Sequence, residues 1–102
     1  MNTSQQFEIL KNDLEIIKES LQLAQMIEKN NLILIQIVDR AYRWANEILS
    51  KLERKEITGE CYVYLKDTLI ASLWLAKLYF AVFRASDGLR EVEDLLGRAK
   101  KL

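Results

Sequence analysis

The sequence contains no proline and only three glycines, at positions 59, 88 and 97, among its 102 residues. Sheets need tight turns at short intervals, and glycine and proline are the residues that most often form them. A chain with so few turn-forming residues therefore favours helices. Two domains of half this length would each be hard to stabilise, so we expect one hydrophobic core and a single domain over residues 1–102.

Histidine is absent altogether. Its absence excludes catalytic triads with an imidazole base and removes the commonest general base and metal ligand. Di-iron carboxylate bundles, which need a Glu-x-x-His motif on each of two helices, are excluded as well. No glycine-rich phosphate-binding loop occurs. We therefore predict a protein that is not an enzyme and that holds no cofactor or metal ion.

Cysteine is also scarce, and the net charge is zero. Cys61 is the only cysteine, which excludes an internal disulfide and a zinc site of the Cys-x-x-Cys kind. Fifteen basic residues balance fifteen acidic ones, so no net field attracts nucleic acid or an anionic membrane. Residues 1–4 are polar and lack the basic and apolar stretches of a signal peptide. We expect a soluble, cytoplasmic protein.

Apolar residues recur at steps of three and four in four segments, which is the spacing of one helix face. We predict helices over residues 4–28, 32–55, 60–85 and 88–101. Asparagine, Thr-Gly and Asp-Gly stretches that favour caps and turns separate the segments. We expect Gly88 to adopt left-handed backbone at the end of the third helix. The short connections predict an all-α, up-down four-helix bundle of antiparallel neighbours.

One helix boundary is left open by the sequence. Asn30 and Asn31 disfavour helix only weakly, and neither glycine nor proline forces a break there. Residues 3–55 could therefore form either two helices joined by a tight turn or one continuous helix.

The third segment is the most apolar part of the chain. Residues 68–83 read TLIASLWLAKLYFAVF, in which Lys77 is the only charge. A membrane span needs about 20 apolar residues, so this shorter run predicts no transmembrane helix. A bundle helix normally buries one stripe, so a helix that is apolar nearly all round needs a second covered surface. We expect a homodimer or larger homo-oligomer whose interface contains Leu73, Trp74, Tyr79, Phe80 and Phe83.

Helix two has basic side chains along one face, with a tryptophan at its edge. Such a stripe could hold phosphates while the indole ring stacks on a base. Glu47 and Glu53 lie in the same stretch, where they can pair with the cations at i,i+4 spacing. The candidate contacts to DNA or RNA are Arg40, Arg43, Trp44, Lys51 and Arg54.

Two pairs of carboxylates have the i,i+3 spacing that places both on one helix face: Glu53 with Glu56, and Glu91 with Asp94. This pattern resembles that of the all-α nucleotide pyrophosphatases of the MazG type, which pair Glu-x-x-Glu with a later Glu-x-x-Asp. The resemblance implies magnesium-dependent nucleotide hydrolysis. Arg54 and Lys55 lie between the first two carboxylates, and Glu91 is far from them along the chain. Solvated helix faces are therefore the preferred interpretation.

The last helix is similar to the closing helix of small bacterial four-helix-bundle proteins encoded in ribosomal RNA intervening sequences and diversity-generating retroelements. The shared positions are Ala85, Leu89, Glu91, Val92, Leu95, Leu96, Gly97 and Lys100. The proline and the strong basic charge of that group are absent here, so this likeness does not identify a family.

The leading functional hypothesis is a small non-enzymatic interaction protein that acts through its helix faces and self-associates through helix three. It would serve as an adaptor, an inhibitor or an assembly subunit. Three alternatives remain: a nucleic-acid-binding accessory protein that uses the stripe on helix two, a magnesium-dependent nucleotide hydrolase, and a membrane-associated protein that uses helix three. The short apolar run makes association with a membrane the less favoured interpretation of helix three.

Overall fold

The computed structural model describes residues 3–102, which form four α-helices and no strand. The helices are α1 (Thr3–Ile27), α2 (Leu32–Glu53), α3 (Gly59–Val82) and α4 (Ser86–Lys100). Each helix packs against the next one along the chain, and α1 also packs against α4. Within the described residues, the backbones of α1 and α3 do not pack side by side, nor do those of α2 and α4, so these pairs lie across the diagonals of the bundle. The predicted four-helix bundle is confirmed, with α1 and α2 as separate helices.

The core is formed by one inward stripe from each helix, and the buried side chains among the described residues are all apolar. Fully burying a leucine, isoleucine or phenylalanine contributes about 1.5–3 kcal/mol. The largest fully buried side chains are Leu14, Ile17, Leu21, Leu34, Val38, Ile48, Leu69, Leu73, Phe80, Val92 and Leu95. The bundle therefore closes a complete core within one chain.

Polar side chains cap the start of α2 and α3. The Asn31 Oδ1 atom accepts a hydrogen bond from the Leu34 N–H at 3.2 Å, and Thr58 Oγ1 accepts one from the Cys61 N–H at 3.1 Å. Each bond satisfies an amide that the first turn of a helix leaves unpaired. The cap at Asn31 explains why the chain breaks there and does not continue as one long helix.

Two residues other than glycine adopt left-handed backbone where α2 and α3 end. They are Lys55, with φ of 57°, and Arg84, with φ of 56°. At the end of α3 the Arg84 N–H donates to the Ala81 carbonyl at 3.1 Å, and the Ala85 N–H donates to the Phe80 carbonyl at 2.9 Å. These paired bonds form a Schellman motif with Arg84 in the position that glycine usually occupies.

The prediction that Gly88 adopts this left-handed conformation is wrong. Because Arg84 ends α3, the next helix begins at Ser86, and Gly88 lies inside α4. Gly88 has a different structural role. A Cβ atom at this position would lie 2.7 Å from Cδ2 of Phe80 and closer still to Cε2. The missing side chain therefore lets α4 approach α3 closely enough to cover the Phe80 ring.

Tyr62 joins α3 to the segment after α4. Its hydroxyl group donates a hydrogen bond to the Leu102 carbonyl at 2.6 Å. Burial, together with the negative charge of Asp13, raises the pKa of Tyr62 above its ordinary value. The native structure therefore favours the protonated phenol, which is the form that can donate this bond.

The outward face of helix three as a candidate functional site

α3 has two apolar stripes on opposite sides. The inner stripe belongs to the bundle core and consists of Leu65, Leu69, Leu73, Ala76 and Phe80. The other stripe faces outward, and we call it the outer seam. It consists of Tyr64, Thr68, Ala71, Leu75, Leu78 and Val82, at successive steps of four, three, four, three and four residues. That spacing is the heptad pattern by which one helix packs along another.

The outer seam is open to solvent in the single chain. Its large members are exposed by 66% at Tyr64, 37% at Leu75, 60% at Leu78 and 76% at Val82. No helix among residues 3–102 is both long enough and apolar enough to cross a membrane. A contiguous apolar face of this kind is typical of a surface that packs against another protein.

Two hydroxyl groups on this side of α3, those of Thr68 and Ser72, already have hydrogen-bond acceptors within the helix. The Thr68 hydroxyl group donates to the Tyr64 carbonyl at 2.8 Å, and the Ser72 hydroxyl group donates to the Thr68 carbonyl at 2.9 Å. Because both hydroxyl hydrogens are satisfied within the helix, apolar side chains can cover Thr68 and Ser72 without leaving a buried donor unpaired.

Trp74 borders the outer seam on the side of α4. The Lys77 ammonium group lies 4.8 Å from the centre of the indole ring, and the Lys100 ammonium group of α4 lies 5.2 Å from it. Both distances are within the range of cation–π attraction. These contacts hold the ring beside the seam, where 43% of the residue is still exposed.

The structure places the five residues predicted to form the interface in two different environments, the core and the surface. Leu73 and Phe80 have no exposed surface and belong to the core, so they cannot reach a partner, and this part of the prediction is corrected. Trp74, Tyr79 and Phe83 are each about two-fifths exposed and flank the seam. The physical reason for the error is that α3 is apolar on both sides, so composition does not reveal which side faces inward. The prediction missed four exposed seam residues: Tyr64, Leu75, Leu78 and Val82.

The basic residues of α2 are mostly paired with carboxylates. Arg43 Nε lies 2.9 Å from Asp39 Oδ2, Lys51 Nζ lies 3.7 Å from Glu47 Oε1, and Arg54 Nε lies 3.3 Å from Glu56 Oε2. Arg40 forms no ion pair with any residue between 3 and 102. A groove of about 630 Å³ beside this stripe is lined by Arg40, Arg43, Trp44, Glu47 and Leu65. Acidic side chains thus neutralise most of the positive charge along this face.

The two carboxylate pairs considered for magnesium lie on helices that do not pack side by side. Glu53 belongs to α2, with Glu56 just beyond its end, whereas Glu91 and Asp94 belong to α4, across the diagonal of the bundle. Lys11 Nζ lies 3.8 Å from Glu53 Oε1, and Arg98 Nε lies 3.4 Å from Asp94 Oδ2. In the part of the chain that the structure describes, no three cysteine, aspartate or glutamate side chains converge on a metal-sized site.

A second group of exposed apolar residues surrounds the turn between α1 and α2. Its members are Leu23, Met26, Ile27, Leu32 and Ile33. They belong to the end of one helix and the start of the next, and so lack the uninterrupted length of the outer seam.

Comparison with protein-family models, with curated proteins and with solved structures finds no significant match to this chain.

Proposed function

We propose that this protein is a small helical interaction module that self-associates through the outward face of α3. The observation that supports the proposal most directly is the outer seam itself. The bundle has a complete core, yet one of its helices presents a second apolar stripe to solvent. Isolated exposed apolar residues are normal on any protein, but a contiguous row along a helix is typical of an interface.

The shape of the seam favours a helical partner. Its steps of three and four keep the apolar side chains on one side of α3 from Tyr64 to Val82, which are 18 positions and about 27 Å apart. Helices packed at the shallow crossing angle of bundles and coiled coils remain in contact over such a distance. In the assembly, α3 would be covered on both sides, as expected for a helix that is apolar nearly all round.

Exposed aromatic residues strengthen this interpretation. Trp74 and Tyr79 flank the seam and Phe83 follows its last member, and large aromatic side chains are enriched among the residues that contribute most to binding. An adaptor, an inhibitor or an assembly subunit could use such a face, and none of these roles requires a catalytic group.

The other functional hypotheses have less support from the geometry. Ion pairs neutralise most of the basic stripe on α2, which lowers the electrostatic attraction that nucleic acid binding requires. The carboxylates considered for magnesium lie on helices that do not pack together. We therefore favour the interaction module over a nucleic-acid-binding protein and over a nucleotide hydrolase.

Substituting one seam residue tests the proposal. Leu78→Glu places a charge in the middle of the contact, and we expect the mass measured by light scattering to fall to that of one chain. Leu23→Glu is the matched control, because Leu23 is also an exposed leucine four residues before the end of its helix. We expect this variant to keep the mass of the unmodified protein.

Both substitutions are on the surface, and circular dichroism at equal concentration checks that each variant remains helical. An unchanged mass in Leu78→Glu, or an equal loss in Leu23→Glu, would contradict assembly through the outer seam.

A further inference from the structure

The outer seam is symmetric about its own midpoint. Tyr64 and Val82 each lie nine residues from position 73, Thr68 and Leu78 each lie five residues from it, and Ala71 and Leu75 each lie two. A two-fold axis that passes beside residue 73 would therefore place each seam position of one copy opposite a seam position of a second copy, with the two helices running in opposite directions. We infer that the seam binds a second copy of this chain in antiparallel orientation, with α3 against α3. This inference rests on the proposed function and specifies its partner and register.

The sizes of the side chains agree with antiparallel pairing. In this register Tyr64 faces Val82 of the second copy, Thr68 faces Leu78, and Ala71 faces Leu75. Each layer then combines a larger side chain with a smaller one, which fills the space evenly along the contact.

Parallel pairing would instead place each seam residue opposite its own copy. Ala71 would face alanine and Thr68 would face threonine in neighbouring layers, while Tyr64 would face tyrosine in the next. Narrow layers beside a wide one leave voids, and unfilled space in a contact lowers stability.

Charges beside the seam also favour the antiparallel arrangement. Glu60, Asp67 and Trp74 recur every seven residues along one flank of the seam. Lys77 lies three residues after Trp74 on the same flank, and Arg84 lies seven residues after Lys77. Along this flank the acidic residues lie in the first half of α3 and the basic residues in the second half and at the helix end; Lys66, the remaining charged residue of α3, lies next to Asp67 in the first half. Reversing one copy places Asp67 near Lys77 of the second copy and Glu60 near Arg84.

Exposed ion pairs of this kind add little affinity, but they select the orientation in which opposite charges meet. The dipoles of the two α3 helices also point in opposite directions in this orientation, so the positive end of one helix lies beside the negative end of the other. Trp74 lies close to the two-fold axis on the same flank, so the two indole rings would come together near the centre of the contact.

Cysteine cross-linking distinguishes the two orientations. The test uses a Cys61→Ala background, to which either Tyr64→Cys or Val82→Cys is added, with a different affinity tag on each variant. Light scattering first checks that each variant alone keeps the dimer mass. The variants are then mixed, allowed to exchange subunits and mildly oxidised, and the products are separated on a non-reducing gel.

We expect a disulfide-linked dimer that contains both tags in the mixture, and no cross-linked dimer from Val82→Cys alone. In the antiparallel register the two copies of residue 82 lie about 27 Å apart along the helix axis, far beyond the reach of a disulfide. Residues 64 and 82 face each other in the same layer.

The other outcomes separate the inference from the proposed function. Efficient cross-linking of Val82→Cys with itself would overturn the antiparallel register while leaving self-association intact. A dimer mass with no cross-link in either sample would also overturn the register. A Cys61→Ala parent that scatters light as a single chain would overturn both the register and the proposed function.

Discussion

Phe80 and Leu78 lie two positions apart on α3 and face opposite sides of the helix. Phe80 has no exposed surface, whereas 60% of Leu78 is exposed. A step of two residues turns a helix by roughly 200°, so the two side chains belong to different surfaces. One helix therefore provides an apolar face to its own bundle and a second apolar face to the outside.

Alanine substitutions at these two positions distinguish the surfaces. Phe80→Ala leaves a cavity in the core, and we expect the free energy of unfolding to fall by about 3–5 kcal/mol. Leu78→Ala removes exposed atoms, and we expect the single chain to stay within about 0.5 kcal/mol of the unmodified protein. Urea denaturation at concentrations where single chains predominate measures both values. Similar losses at the two positions would mean that Leu78 also belongs to the core.

The two glycines of α4 give a second matched comparison. We expect Gly88→Ala to cost about 1–3 kcal/mol, because the new methyl group would displace the Phe80 ring. Gly97 has no atom within 4 Å of the position of a Cβ, so Gly97→Ala is expected to stabilise the helix by about 0.5–1 kcal/mol. Thermal unfolding should therefore shift in opposite directions for the two variants. A higher Tm for Gly88→Ala would contradict the close packing of α4 on Phe80.

Much of the fold could be predicted from the sequence because each helix has a regular apolar spacing and recognisable ends. The caps at Asn31 and Thr58 lie close to where residue type alone places them. The junction between α3 and α4 was less predictable. Arg84 adopts the left-handed conformation that was expected at Gly88, because the energetic cost of left-handed backbone at a non-glycine residue is offset by the hydrogen bonds that end α3.

The candidate site was predicted only in part, for a different physical reason. Two stripes on α3 both follow steps of three and four, so periodicity identifies two possible inward faces and does not choose between them. The choice depends on which stripe meets the residues of α2 and α4, and this is a property of the packed bundle. Leu73 and Phe80 were therefore assigned to the interface, although they complete the core. The heptad spacing from Tyr64 to Val82 was the signal that could have shown a second apolar face on α3, although not which of the two faces turns outward.

The raised pKa of Tyr62 predicts a loss of stability in alkaline solution. A pKa that is higher in the native state than in the unfolded state stabilises the protein below the unfolded value of about 10. This contribution disappears as the pH rises through the native value, because the native state then no longer retains the extra proton. Tyr62→Phe lacks both the hydroxyl group and its bond to Leu102, which we expect to cost about 1 kcal/mol at neutral pH.

The difference in stability between the unmodified protein and Tyr62→Phe should therefore shrink above pH 10. Urea unfolding midpoints of the two proteins, measured in parallel from neutral to alkaline pH, test this expectation. A constant difference across the range would show that the phenol titrates equally in the native and unfolded states.

The paired charges on α2 predict weak binding to nucleic acid. Because three of the four basic side chains have carboxylate partners, we expect little retention on immobilised DNA or RNA, even at low salt. A variant with alanine at Arg40, Arg43, Lys51 and Arg54 should elute with the unmodified protein. Strong, salt-sensitive retention that this variant loses would instead support a role in nucleic acid binding.

The most direct test of assembly through the outer seam is the mass of the unmodified protein in solution across the micromolar concentration range. Sedimentation equilibrium provides this mass without a tag or a substitution. Assembly through the outer seam predicts a mass that rises with concentration towards twice the 11.9 kDa of one chain. A mass of 11.9 kDa at every concentration would contradict the account, because the outer seam would then remain exposed in a stable single chain.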